Sequence, residues 1–82
     1  MSLPQSVLDT LNDNARQAGA APPAGGDDLF KAGVLDSFTL IDLVAVLEEQ
    51  CGVKVPDADV KPENFLTIEA IESYVAARGG RS

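Results

Sequence analysis

The fold is decided by residues 37–50, which read SFTLIDLVAVLEEQ. Apolar residues recur in this stretch at three- and four-residue spacing, which predicts an amphipathic helix. The stripe consists of Leu40, Leu43, Val44, Leu47 and Cys51. Asp36 and Ser37 are both types that cap a helix N-terminus, and Gly52 suits its end. Because Phe38, Ile41 and Val46 widen the apolar face, we expect this helix to be flanked on two sides, as in a bundle.

The sequence on either side predicts further helices and one long loop. Apolar spacing predicts a first helix over 4–18 and a last helix over 67–78, with Thr67 as its cap. A short third helix is predicted at 62–65, where Pro62 suits a first turn. Loop 19–36 is long for a compact domain. We expect four apolar residues of the loop to pack it onto the core, and a positive φ at the last of its glycines. These are Leu29, Phe30, Val34 and Leu35, with Gly33 as the glycine. The prediction is one all-α domain over 1–82.

The composition excludes many activities. The chain has 82 residues with 6 Lys plus Arg, 13 Asp plus Glu and a net charge of -7. It has no His and one Cys, which rules out imidazole catalysis, an internal disulfide and a thiolate metal cluster. Such an acidic chain is poorly suited to nucleic acid. The apolar runs are too short to span a bilayer, and no signal peptide is visible at the N-terminus. We therefore expect no catalytic residues, no metal, no nucleic acid and no membrane insertion.

The acidic residues are concentrated in the middle third of the chain. Residues 27–51 hold six acidic residues and one basic residue, which gives a net charge of -5. A charged docking surface is expected there, and its partners would carry basic surfaces.

The Asp36-Ser37 pair is the strongest candidate site. The ordinary interpretation of Ser37 is an N-cap whose hydroxyl accepts a backbone N–H. The alternative is a modified hydroxyl, because Ser37 follows a long loop and opens the best helix of the chain. If Ser37 carried a phosphodiester, the free N–H groups and partial positive charge of the helix start would favour that anion. Asp36 would then serve recognition, or hold a metal ion of the modifying enzyme.

Residues 28–38, which read DLFKAGVLDSF, resemble the modification loop of acyl carrier proteins and the related aminoacyl and peptidyl carriers. The run LEE at 47–49 followed by GVKVP at 52–56 resembles the end of that family's second helix and the link after it. Residues 62–68, PENFLTI, resemble its third helix and the start of its fourth. The resemblance covers residues 3–78 and implies an acyl-carrier-protein-like four-helix bundle.

The resemblance also implies a function. Ser37 would receive 4′-phosphopantetheine from coenzyme A through a phosphopantetheinyl transferase, and the thiol of that arm would carry cargo as a thioester. The carrier would catalyse nothing and would deliver cargo to a loading ligase and to downstream transferases or synthases. The candidate recognition residues are Asp36, Phe38, Asp42, Glu48 and Glu49.

One departure from the family bears on the cargo. Many fatty-acid carriers have an acidic residue two positions after the serine, where this chain has Thr39. This difference favours a freestanding carrier of aminoacyl or specialised acyl groups, which we expect to be a cytoplasmic monomer. An acyl carrier protein of primary fatty-acid synthesis remains an alternative. An unmodified acidic helical interaction module is an alternative of another class.

Overall fold

The computed structural model describes residues 3–79 and is all-helical over that range. Three α-helices run from Gln5 to Gln17 (α1), from Ser37 to Cys51 (α2) and from Ile68 to Ala77 (α3). Two three-residue 3₁₀ turns, Asp57–Asp59 and Pro62–Asn64, lie between α2 and α3. Within residues 3–79, no helix is long and apolar enough to cross a membrane.

One apolar core holds the helices together. The buried face of α1 contributes Val7, Leu11 and Ala15, and α3 contributes Ile71 and Val75. The predicted stripe of α2 joins the same core, and all of it is buried: Leu40, Leu43, Val44, Leu47 and Cys51. Burying such side chains stabilises a small domain by about 1.5–3 kcal/mol each. The stripe therefore fixes α2 in place and leaves its opposite side to solvent.

Loop 19–36 is packed down onto this core, as predicted. Leu29, Val34 and Leu35 are buried, and Phe30 packs against the core while partly exposed. Gly33 has a φ of 80°, which confirms the predicted positive φ. Two backbone hydrogen bonds join the loop to the segment that begins α3: Leu29 N–H donates to the Leu66 carbonyl at 2.8 Å, and Glu69 N–H donates to the Gly25 carbonyl at 3.1 Å. The loop is thus tied to the segment that begins α3 and packed onto the core immediately before α2.

The short third helix predicted at 62–65 is a single 3₁₀ turn, Pro62–Asn64. The turn stops because Phe65, at φ −127° and ψ 23°, leaves helical geometry and its side chain is completely buried. The Asn64 side chain also donates to the Asp59 carbonyl at 2.9 Å, which ties this turn to the preceding one. The turn at Asp57–Asp59 was not predicted. The described residues thus contain three α-helices, and a fourth α-helix is absent from residues 3–79.

The expectation that α2 is flanked on two sides is wrong for part of its apolar face. The Phe38 side chain is 79% exposed and that of Ile41 is 61% exposed. Both lie outside the buried stripe of α2. An exposed aromatic residue and an exposed branched aliphatic residue on one helix typically mark a contact surface.

Candidate functional site

The first turn of α2 is capped by Asp36. One carboxylate oxygen, Oδ1, accepts the backbone N–H of Phe38 at 2.8 Å and that of Thr39 at 2.9 Å. The Thr39 hydroxyl accepts the Asp36 N–H at 2.8 Å, which completes a reciprocal capping box. The N–H groups of Thr39 and Phe38 hold the pKa of Asp36 below its usual value of 3.8. Asp36 therefore remains ionised at neutral pH.

Because Asp36 is the cap, Ser37 is not needed for that role. Ser37 is the first residue of α2 and is exposed. Over residues 3–79, its hydroxyl takes part in no hydrogen bond to another side chain or to the backbone. The Asp36-Ser37 pair thus divides into a residue that builds the helix start and a residue whose hydroxyl faces solvent.

The expected cradle for an anion is only partly present. The Phe38 and Thr39 N–H groups donate to the Asp36 carboxylate, and the Leu40 N–H donates to the Asp36 carbonyl at 2.9 Å. The prediction that the amides of the helix start are free to hold a phosphodiester is therefore wrong for Phe38 and Thr39, which donate to the Asp36 carboxylate. Ser37 is exposed, so a group attached there would be held mainly by the covalent bond and not by the amides of the helix start.

The exposed recognition candidates share a second face of α2. Phe38, Asp42 and Glu49 follow one another at four- and seven-residue spacing, which places them on the same side of the helix. All three are exposed. The described residues contain two salt bridges, Arg16–Asp13 and Lys61–Glu63, so the acidic groups of α2 form none with residues 3–79. This face can attract a basic partner surface with an apolar pocket.

Glu48 differs from Glu49 despite their adjacency. Glu48 is half-buried, and its Oε2 accepts the backbone N–H of Val55 at 2.9 Å. This bond joins α2 to the extended segment that follows it. Glu48 also lines a cleft of about 480 Å³ that runs beside α2.

Ile41 is the site residue that the sequence reasoning missed. It lies four residues after Ser37, on the same side of α2, and it is largely exposed. The sequence did contain a signal for it, because Ile41 falls outside the three- and four-residue spacing that Leu40, Leu43 and Leu47 follow. That spacing separates the side chains that face the core from those that do not.

A comparison with known families identifies the class of protein. The family model described as "Phosphopantetheine attachment site" matches residues 7–75, which is most of the chain. This chain belongs to the phosphopantetheine attachment site family. The resemblance to carrier proteins is confirmed, and 4′-phosphopantetheine is the cofactor of the domain.

Several curated proteins of similar sequence are D-alanyl carrier proteins. A D-alanyl carrier protein of Streptococcus uberis is 40% identical over 45 residues, which are 55% of this chain and 57% of that protein. D-alanyl carrier proteins of Streptococcus pyogenes serotypes M5 and M1 are 38% identical over 45 residues, with the same shares covered. The match thus spans little more than half the length of these relatives. No solved structure gives a significant match.

Proposed function

We propose that this chain is a freestanding carrier protein that holds an aminoacyl or other specialised acyl group on a 4′-phosphopantetheine arm attached to Ser37. The observation that carries this assignment is the division of roles at the start of α2. Asp36 caps the helix through two backbone N–H groups, and Ser37 presents an exposed hydroxyl one residue later. A modifying enzyme can reach that oxygen without unfolding the helix.

The attachment step transfers the phosphopantetheinyl group from the pyrophosphate of coenzyme A to the Ser37 hydroxyl. The Oγ of Ser37 forms a bond to the phosphorus that bears the pantetheine of coenzyme A, and the bond from that phosphorus to the bridging oxygen breaks. The adenosine bisphosphate leaves with the bridging oxygen, and the hydroxyl proton passes to a base of the transferase. The thiol of the bound arm then supplies a thioester linkage for the cargo. In this proposal the chain itself catalyses no step.

The recognition surface comprises residues on both sides of Ser37. Phe38 supplies an exposed apolar group, and Asp42 and Glu49 supply charges on the same face of α2. Asp36 contributes a permanent negative charge beside the reacting hydroxyl, and Glu48 adds another at the edge of the cleft. Long-range attraction of basic enzymes to this face raises encounter rates without demanding a long-lived complex. The partners we propose are a phosphopantetheinyl transferase, a loading ligase and a downstream acyl-accepting enzyme.

The cargo proposal is D-alanine or a similarly small amino acid. The named relatives are D-alanyl carrier proteins, and Thr39 stands where fatty-acid carriers commonly have an acidic residue. Residues 1–82 would form one monomeric carrier domain in which the two 3₁₀ turns take the place of the short third helix of a four-helix bundle. Because the arm comes from coenzyme A, we propose that the protein works in the cytoplasm.

The test is intact-mass analysis after incubation with coenzyme A and a broad-specificity phosphopantetheinyl transferase. Wild type should gain one phosphopantetheine group, and Ser37→Ala should gain none. Ser73→Ala is the matched control, because Ser73 is also exposed and lies on α3; it should be modified like wild type. Absence of modification in wild type would leave the unmodified interaction module as the better account. Preferential loading of the modified protein by a fatty-acyl ligase would favour primary fatty-acid synthesis.

A further inference from the structure

The Asp36 carboxylate uses one of its two oxygens to cap α2. Oδ1 accepts the backbone N–H of Phe38 at 2.8 Å, that of Thr39 at 2.9 Å and the Thr39 hydroxyl at 3.2 Å. Within residues 3–79, Oδ2 accepts no hydrogen bond. Because Asp36 is exposed and remains ionised, this second oxygen keeps its capacity to accept hydrogen bonds from another molecule.

The Thr39 hydroxyl favours this unequal use of the two oxygens. It donates to Oδ1 and accepts the Asp36 N–H at 2.8 Å, so it holds both the side chain and the backbone of Asp36. The Phe38 and Thr39 amides alone do not impose the same arrangement, because each can bond to a different oxygen of the carboxylate. A third donor on Oδ1 disfavours that bridging arrangement and keeps Oδ2 out of the cap.

The surroundings of this pair leave room for a positively charged group of another molecule. Asp36 and Thr39 line a cavity of about 200 Å³, whose other walls come from the end of α1 and from Gly33 and Val34. Among the described residues, no Lys or Arg lines this cavity, and none forms a salt bridge with Asp36. A guanidinium group can therefore reach Oδ2 without displacing a positive charge of the chain itself.

We propose that Thr39 is a positioning residue for the modification of Ser37: its hydroxyl keeps Oδ2 of Asp36 available to an arginine of the transferase. The proposal rests on the proposed function and names the residue that prepares the approach to Ser37. A charge-assisted hydrogen bond to Oδ2 is short and directional, so it would orient the transferase beside the hydroxyl one residue away. Thr39 acts through Asp36 and takes no part in the transfer itself.

The test measures kcat/KM for phosphopantetheine transfer to the full chain, with each product verified by intact mass. Thr39→Val replaces the hydroxyl by a methyl group and should lower kcat/KM roughly threefold, the effect of releasing the carboxylate from one of about three staggered rotamers. Thr39→Ser retains the hydroxyl and should remain close to wild type. Urea denaturation of each variant establishes that it is folded under the assay conditions.

Thr67→Val is the matched control at the other capping threonine. The Thr67 side chain accepts the Ala70 N–H at 2.9 Å and caps α3. Its replacement should lower the free energy of unfolding, because a cap is lost, and should leave kcat/KM unchanged. The comparison separates loss of a helix cap in general from loss of the contact with Asp36.

A double-mutant cycle with Asp36→Asn identifies the route of the effect. The asparagine side chain retains an oxygen for the two backbone N–H groups, but an NH₂ group takes the place of Oδ2. Asp36→Asn should therefore lower kcat/KM about tenfold or more, and adding Thr39→Val should lower it no further. The loss of stability caused by Thr39→Val should remain in both backgrounds, so the two measurements separate positioning from folding.

Each outcome bears on the proposal. Equal kcat/KM for wild type and Thr39→Val, an equal loss in Thr67→Val, or a further loss when Thr39→Val is added to Asp36→Asn would overturn the positioning role while leaving attachment at Ser37 intact. Failure of wild type to gain phosphopantetheine in the mass measurement would instead reject the proposed function, and the positioning role with it.

Discussion

Replacement of Phe38 by Ala should slow modification of Ser37 while leaving the fold unchanged. Phe38 adjoins Ser37 and its side chain is 79% exposed, so an enzyme that approaches the serine hydroxyl must cover this ring. Full burial of a Phe side chain is worth about 1.5–3 kcal/mol. The exposed 79% corresponds to about 1.2–2.4 kcal/mol of contact that Ala cannot make. At 1.4 kcal/mol per factor of ten, kcat/KM should fall roughly 7- to 50-fold.

The assay is the steady-state rate of phosphopantetheine transfer from coenzyme A, followed by intact mass across a range of carrier concentrations. Urea denaturation should show a change in the free energy of unfolding within about 0.5 kcal/mol, because the ring contributes little to the core. Leu66→Ala is the control, since within residues 3–79 Leu66 is the exposed large apolar residue that lies outside α2, at 38% exposure. If Phe38→Ala and Leu66→Ala have the same kcat/KM as wild type, the proposed recognition surface is wrong.

Three further predictions concern the groups that support the site. Asp36→Ala should lower the free energy of unfolding at neutral pH, as measured by urea denaturation. Because the pKa of Asp36 is depressed in the folded state, the difference from wild type should persist above pH 3.8 and shrink as the pH falls further. A difference that does not change with pH would contradict the capping role. Tyr74→Phe removes the hydrogen bond from the Tyr74 hydroxyl to Asp59 and should lower the free energy of unfolding by about 1 kcal/mol in the same assay. The loss of protection from amide hydrogen exchange should be greatest in residues 57–59. Unchanged protection there would show that Tyr74 does not anchor this turn. Cys51 is buried, and burial raises the pKa of its thiol, so a thiol reagent should detect no thiol in the folded unmodified protein. In the folded modified protein the reagent should detect one thiol, that of the phosphopantetheine arm. Reaction of the folded unmodified protein would contradict the burial of Cys51.

The sequence predicted the helices that bury a regular apolar stripe. Leu40, Leu43 and Leu47 set the phase of α2, and Ile71 and Val75 did the same for α3, because three- and four-residue spacing directly reports which helix face meets the core. The packing of loop 19–36 was also predictable, since Leu29 and Leu35 are too large and apolar to remain in solvent.

The segment between α2 and α3 was harder to predict. Its two 3₁₀ turns depend on tertiary contacts: the Asn64 side chain donates to the Asp59 carbonyl, and Phe65 must turn into the core. Such short turns are set by their surroundings more than by local propensity. The exposure of Phe38 and Ile41 was missed for a related reason, because periodicity shows which face is apolar but not which neighbouring element covers it.

The choice between Asp36 and Ser37 as the cap also required the structure. Both residue types cap helices well, and sequence spacing does not separate two adjacent candidates. In the structure the Asp36 carboxylate accepts hydrogen bonds from two backbone N–H groups, so the Ser37 hydroxyl is not needed as the cap. The proposed function of the site thus rests on a choice of capping residue that the sequence left open.

The most direct measurement of the central claim is tandem mass spectrometry of the modified chain after proteolysis. The sequence has five serines: Ser2, Ser6, Ser37, Ser73 and Ser82. The account predicts that the phosphopantetheine group is found on the peptide that contains Ser37, with fragment ions that assign it to that residue alone. Assignment to Ser73 or to another serine, or an unmodified Ser37 peptide alongside a modified control carrier, would contradict it.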